Sequence, residues 1–165
     1  HRRQRQMCIR DRKKALKDFP NSEVIVTGCA SQVEKNRFEN LGHISKIVDN
    51  KLKTNPNSYI SEDWVHEQTF NFPSIDYLST QRTRAMLQIQ QGCNHRCTFC
   101  IIPYGRGDAV SLTFTEISKR VKKILSSGIT EIVLTGVDLT SYGEDLKGKP
   151  KLGSILKKLF KLFQI

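Results

Sequence analysis

The chain has 165 residues, 27 Lys and Arg against 16 Asp and Glu, a formal net charge of +11 and five cysteines. That length suits one compact domain, or one domain with part of another. A hydrophobic fraction of 38% with eight Phe can build a core, which excludes wholesale disorder. No apolar run approaches the roughly 18–20 residues of a membrane span, and no charged-then-apolar leader is visible. A soluble, cytoplasmic chain without membrane contact is expected. An odd number of cysteines, without the even spacing of a disulfide scaffold, points to a reducing compartment and to metal or redox use.

The positive charge suggests an anionic partner such as nucleic acid, but it is unevenly spread. Residues 1–20 hold eight Lys/Arg and two Asp, and residues 147–165 hold six Lys and no acid. The central 126 residues carry 13 basic and 14 acidic groups and are close to neutral. The string Arg5-Gln6-Met7-Cys8-Ile9-Arg10-Asp11-Arg12 resembles a translated sequencing-adaptor sequence, so residues 1–12 are set aside from fold reasoning.

In chain order, Lys13 to Lys17 read as the end of a helix, and Asp18-Phe19-Pro20-Asn21 as a turn. Glu23 to Thr27 is a short buried strand rich in β-branched residues. Gln32 to Asn40 is a helix stopped by Gly42, and Ser45 to Val48 is a second strand. These elements form the tail of a β-α-β unit in a parallel sheet. Residues 50–83 lose periodicity, carry Pro56 and Pro73, and scatter Tyr59, Trp64, Phe70, Phe72 and Tyr77. They read as a linker with a domain boundary near residue 80. The organisation expected is thus residues 13–60 as part of an N-terminal domain, 61–83 as linker, and 84–165 as the start of a second domain.

Ala85 to Gln90 alternates apolar and polar residues and reads as a strand. It runs into a cysteine-rich loop, Gly92 to Gly107. A helix follows from Thr115, its expected N-cap, to about Ser126, with Ile117, Val121, Ile124 and Leu125 on one face. Gly128 closes it, and Glu131 to Thr135 is another buried strand. A last helix from Leu152 or Gly153 to Phe163 sets Ile155, Leu156, Leu159, Phe160, Leu162 and Phe163 on one stripe, opposite Lys157, Lys158 and Lys161. Such a helix fits the outside of an α/β barrel, or alternatively a membrane surface.

Chemistry concentrates in Cys93, Cys97 and Cys100, a C-x3-C-x2-C cluster on a loop at the C-terminal end of a strand, where α/β barrels place active sites. Three such thiolates suit three irons of a four-iron cube, leaving the fourth iron open to a ligand. A structural zinc module remains as an alternative, and it would have to recruit His95 or Cys29 as a further ligand.

The run Cys93-Asn94-His95-Arg96-Cys97-Thr98-Phe99-Cys100 resembles the signature of radical S-adenosylmethionine (SAM) enzymes. The resemblance implies a [4Fe-4S] cluster whose open iron chelates SAM, with reductive cleavage to a 5′-deoxyadenosyl radical and a protein that positions it. Phe99 would contact the adenine, with simple packing as the plainer reading. Gly136 and Asp138, just past the second strand, would meet the methionine ammonium group. The plainer reading there is a glycine turn with Asp138 capping the next segment.

Val26-Thr27-Gly28-Cys29-Ala30-Ser31-Gln32, then residues 97–107 (CTFCIIPYGRG), then 131–146 (EIVLTGVDLTSYGEDL) resemble, in this order, the methylthiotransferases of that superfamily. The loop Gly136-Val137-Asp138-Leu139-Thr140 is most similar to the branch that methylthiolates N6-threonylcarbamoyladenosine-37 of tRNA at C2. Siblings act on isopentenyladenosine or on a ribosomal protein. The family implies that Cys29 is one ligand of a second [4Fe-4S] cluster in the intact protein, with its other two ligands upstream. It also implies tRNA and an electron donor as partners; the oligomeric state is left open, with a monomer favoured. Arg106, in the loop after the cluster, is a candidate phosphate contact, although Asp108-Ala109-Val110 stands where the family commonly continues with basic residues. A barrel of this class needs roughly 200 residues or more. The expected fold is therefore α/β: the end of a parallel-sheet N-terminal domain plus the first strands and helices of a truncated (β/α) partial barrel.

Overall fold

The computed structural model describes residues 10, 11, 13–60, 72 and 83–164. The chain divides into two compact units, His1–Val65 and His66–Ile165. Most of the expected linker, including Trp64, Phe70, Pro73 and Tyr77, lies outside the described residues, as does Cys8.

In the first unit, residues 13–18 are helical (α1), and the chain turns at Phe19–Ser22, where the Ser22 N–H and hydroxyl both donate to the Phe19 carbonyl. β1 (Ile25–Thr27) pairs in parallel with β2 (Lys46–Val48), Val26 opposite Ile47. The connection is helical but not the single helix expected over 32–40. It is two five-residue helices, α2 (Cys29–Val33) and α3 (Lys35–Glu39), broken at Glu34, whose φ of −110° and ψ of 42° leave the helical region. β1 is half-buried rather than fully buried, and Val48 is the deeply buried residue of the pair. A short helix, α4 (Asn57–Ile60), follows.

The second unit is built around β3 (Arg84–Gln88), which pairs in parallel with β6 (Glu131–Thr135), Leu87 opposite Leu134. Between them lie β4 (Gln90–Gln91), α5 (Ile102–Arg106), β5 (Val110–Ser111) and α6 (Phe114–Ser126). β4 pairs antiparallel with β5. The alternation of β3 turns Ala85, Leu87 and then Ile89 inward and leaves Met86 exposed. α6 answers with Ile117, Val121 and Ile124, all buried on one stripe. Each fully buried Leu or Ile contributes about 1.5–3 kcal/mol, which makes this strand–helix interface the core of the unit.

The N-cap of α6 is Thr113, not Thr115: its hydroxyl accepts the Glu116 N–H at 3.3 Å. The spacing Thr113-x-x-Glu116 matches a capping box, the local signal that outranks Thr115. β6 is half-buried where a fully buried strand was expected, because among the described residues it pairs with β3 alone. After β6 come a 3-10 turn (Leu139–Ser141) and α7 (Leu152–Phe163). Ile155 and Leu159 of α7 join the core, whereas Phe160 and Leu162 are exposed, so its apolar stripe is only partly covered. No described helix is long and apolar enough to cross a membrane.

Candidate metal and cofactor site

Gly92 opens the cysteine loop in a conformation that only glycine suits. Its φ is +73°, and a Cβ there would sit 2.0 Å from the Asp108 carbonyl oxygen. The loop is closed at its base by the Cys93 N–H donating to the Gly107 carbonyl, 3.2 Å. Asn94 Oδ1 accepts the Ala109 N–H at 2.9 Å, and Arg96 donates to Asp108 Oδ1 at 3.1 Å and to the Cys93 carbonyl at 3.2 Å. The Arg96 guanidinium also lies 5.9 Å from the Tyr104 ring centre. Asp108, the acid that departs from the family pattern, thus pairs with a cation of the same loop.

Cys97 and Cys100 mark the ends of a turn, with the Cys100 N–H donating to the Cys97 carbonyl at 3.0 Å. Cys97 is exposed, while Cys93 and Cys100 are half-buried. Between them Phe99 is 92% exposed, so it is not packed against a core. Arg106 is half-buried and donates to Gln91 Oε1 at 3.3 Å.

The loop after β6 approaches from the other side. Asp138 Oδ2 lies 3.7 Å from Cys93 Sγ and 3.2 Å from His95 Nε2, and these three ligand atoms all lie within 4.8 Å of one another. Cys97 and Cys100 are not members of that group. Asp138 precedes the 3-10 turn, and its carboxylate accepts the hydroxyls of Thr140 and Ser141. It therefore does the local work of the plainer reading and also faces the cysteine loop. The Thr140 hydroxyl, then Ser141 and His95, hold this carboxyl below the usual carboxylate range, with burial opposing them.

One residue that binds the two loops together escaped the sequence reading. Gln90 is fully buried. Its Oε1 accepts the N–H groups of Val137 (2.9 Å) and Asp138 (2.8 Å), and its Nε2 donates to the carbonyls of Gln91 (3.1 Å) and Gly92 (2.9 Å). All the hydrogen-bonding capacity of the amide is used, as burial demands. Gly136 packs on this side chain: a Cβ there would lie 3.0 Å from Gln90 Oε1 and 2.7 Å from Leu139 Cδ2. Strand alternation assigns Gln90 a solvent-facing slot. The available signal was three glutamines, Gln88, Gln90 and Gln91, at an apolar strand's exit just before a glycine.

In the first unit, Cys29 is the first residue of α2, directly after Gly28, whose φ of +121° ends the strand. Its Sγ accepts from Asn50 Nδ2 at 3.6 Å, and Gln32 links to Asp49 and the Asn50 N–H nearby.

Residues 87–162, which run from β3 into α7, match the radical SAM superfamily. The chain is 36% identical over 162 residues to the threonylcarbamoyladenosine tRNA methylthiotransferase of Rickettsia prowazekii, covering 91% of this chain and 37% of that protein. It is 34% identical over 151 residues to the Bacillus subtilis protein of the same name, covering 82% and 32%. Against the ribosomal protein uS12 methylthiotransferase of Clostridioides difficile the identity is 36% over 149 residues, covering 84% and 34%. The chain is thus similar to radical SAM methylthiotransferases over most of its own length. It spans about a third of the length of the relatives it matches. A radical SAM match implies a [4Fe-4S] cluster and SAM.

Proposed function

We propose that this chain is part of an enzyme that transfers a methylthio group to C2 of N6-threonylcarbamoyladenosine-37 in tRNA. In this reading Cys93, Cys97 and Cys100 hold the [4Fe-4S] cluster, and residues 84–165 are the opening of a (β/α) partial barrel. The donor set fits the group: three soft thiolates on one loop, with Cys97 already at the surface. The bound cluster and SAM supply one-electron cleavage of the sulfonium, and the chain's own residues bind and orient.

Asp138 and the loop from Gly136 receive the methionine ammonium group, with Asp138 kept charged by the Thr140 and Ser141 hydroxyls. Phe99, free of packing, offers its ring face to the adenine. Cys29 is one ligand of a second [4Fe-4S] cluster in the intact protein, and tRNA and an electron donor are the partners. The observation that carries the reading is the link from the cysteine loop to the Gly136–Asp138 loop through buried Gln90.

The ribosomal-protein activity is the second reading, because a uS12 methylthiotransferase shares as much identity, 36%, as a tRNA enzyme does. The test is the intact protein, reconstituted anaerobically and given either substrate, with products read by mass spectrometry. A methylthio mass on the tRNA nucleoside supports the first reading. Modification of the ribosomal protein alone replaces it with the second.

A further inference from the structure

We infer that Gln90 is a positioning residue for the cofactor: its side-chain amide sets the Asp138 carboxylate against the cysteine loop, and through it the affinity for the SAM ammonium group. The inference rests on the cluster reading above and extends it to a residue that touches neither cluster nor cofactor.

Such a residue is needed where two strands part. β3 and β6 stay in parallel register as far as Gln88 and Thr135, and one further backbone bond runs from the Ile89 N–H to the Thr135 carbonyl, 2.9 Å. Residues 90–91 then pair with β5 instead. The Gln90 amide takes over as a substitute peptide group, because it carries the same donor and acceptor as the backbone. Its oxygen accepts the Val137 and Asp138 N–H groups, and its nitrogen donates to the Gln91 and Gly92 carbonyls. The ladder is thereby extended past the point where the two backbones diverge.

This amide has little freedom. Gln90 is fully buried, and Gly136 lies against it without room for a Cβ. One arm ends at the residue before Cys93 and the other at Asp138, whose Oδ2 stands 3.7 Å from Cys93 Sγ. The other partners of that carboxylate are weaker anchors to the cysteine loop. Thr140 and Ser141 belong to its own turn and move with it, and His95 reaches it with a side chain that is 64% exposed. Attraction between a carboxylate and an ammonium falls with their separation, so a displaced Asp138 binds SAM less well.

The test is SAM binding by the anaerobically reconstituted full chain, measured by equilibrium dialysis beside iron content, for wild type, Gln90→Ala, Asp138→Asn and the double variant. Gln90→Ala is expected to keep its iron, because Cys93 N–H to Gly107 and Asn94 to Ala109 also close the loop. It should weaken SAM binding about tenfold, but less than about twofold in the Asp138→Asn background, since the effect passes through Asp138. Gln90→Asn, an amide one methylene too short to span both loops, should show the same loss of affinity while leaving one loop satisfied. Wild-type SAM affinity in either Gln90 variant overturns the inference. So do losses that simply add across the cycle, the outcome of a merely structural role. A wild-type chain that assembles its cluster but ignores SAM overturns the cluster reading itself, and the inference with it.

Discussion

The side-chain oxygen of Gln90 accepts the backbone N–H of Asp138 at 2.8 Å, joining positions 48 residues apart. The same side chain holds Val137 and, through its nitrogen, the carbonyl of Gly92. Gln90→Ala leaves the Val137 and Asp138 donors without this acceptor, and an unsatisfied buried group costs about 1–3 kcal/mol. A loss of that size in urea unfolding is expected. An unchanged midpoint would show that the two loops hold their places without this amide.

Two glycines of the site should respond differently to alanine. At Gly136 the nearest obstacles are side chains, Leu139 Cδ2 at 2.7 Å and Gln90 at 3.0 Å, and overpacking of this kind costs about 1–3 kcal/mol. Leu139→Ala should relieve part of it. At Gly92 a Cβ meets backbone, the Asp108 carbonyl oxygen at 2.0 Å, in a φ of +73°. Gly92→Ala should therefore cost more than about 4 kcal/mol, with no single side-chain truncation restoring it. Equal effects at both positions in thermal unfolding would contradict this ordering.

What was legible in the sequence was local. The cysteine spacing, the Glu131 to Thr135 strand and the Leu152–Phe163 helix follow from patterns a few residues long, and the structure has them at those positions. The break at Glu34 was not legible, because the helical composition of residues 32–40 runs through it. The burial of Gln90 was not legible either: its partners lie at Gly92 and at 137–138, and no local period encodes a contact 47 residues away. The grouping of His95 with Asp138 spans a similar distance, whereas the Thr113-x-x-Glu116 capping box is a local signal that the sequence carries in full.

Tyr142 supplies a pH dependence. Burial first, and Asp145 second, push its hydroxyl from 10.0 up to about 12, and it donates to the Leu112 carbonyl. A raised folded-state value favours the neutral form, so this contribution is complete below about pH 10 and is lost as pH rises toward 12. Unfolding titrations between pH 9 and 12 should show a steeper alkaline loss for the wild type than for Tyr142→Phe. Parallel curves would remove Tyr142 as the source.

Phe99 separates stability from cofactor binding. At 92% exposure, Phe99→Ala should move the unfolding midpoint by no more than about 0.5 kcal/mol. The same change should weaken binding of SAM to the reconstituted chain, measured by equilibrium dialysis. Undiminished SAM binding would remove the ring from the adenine site.

The assignment of Cys93, Cys97 and Cys100 to a SAM-binding cluster is tested most directly by electron paramagnetic resonance of the anaerobically reconstituted, dithionite-reduced chain, recorded with and without SAM. The account predicts a reduced four-iron signal that changes shape when SAM is added and disappears in Cys97→Ser. A wild-type chain that assembles no cluster, or a signal indifferent to SAM, would contradict it.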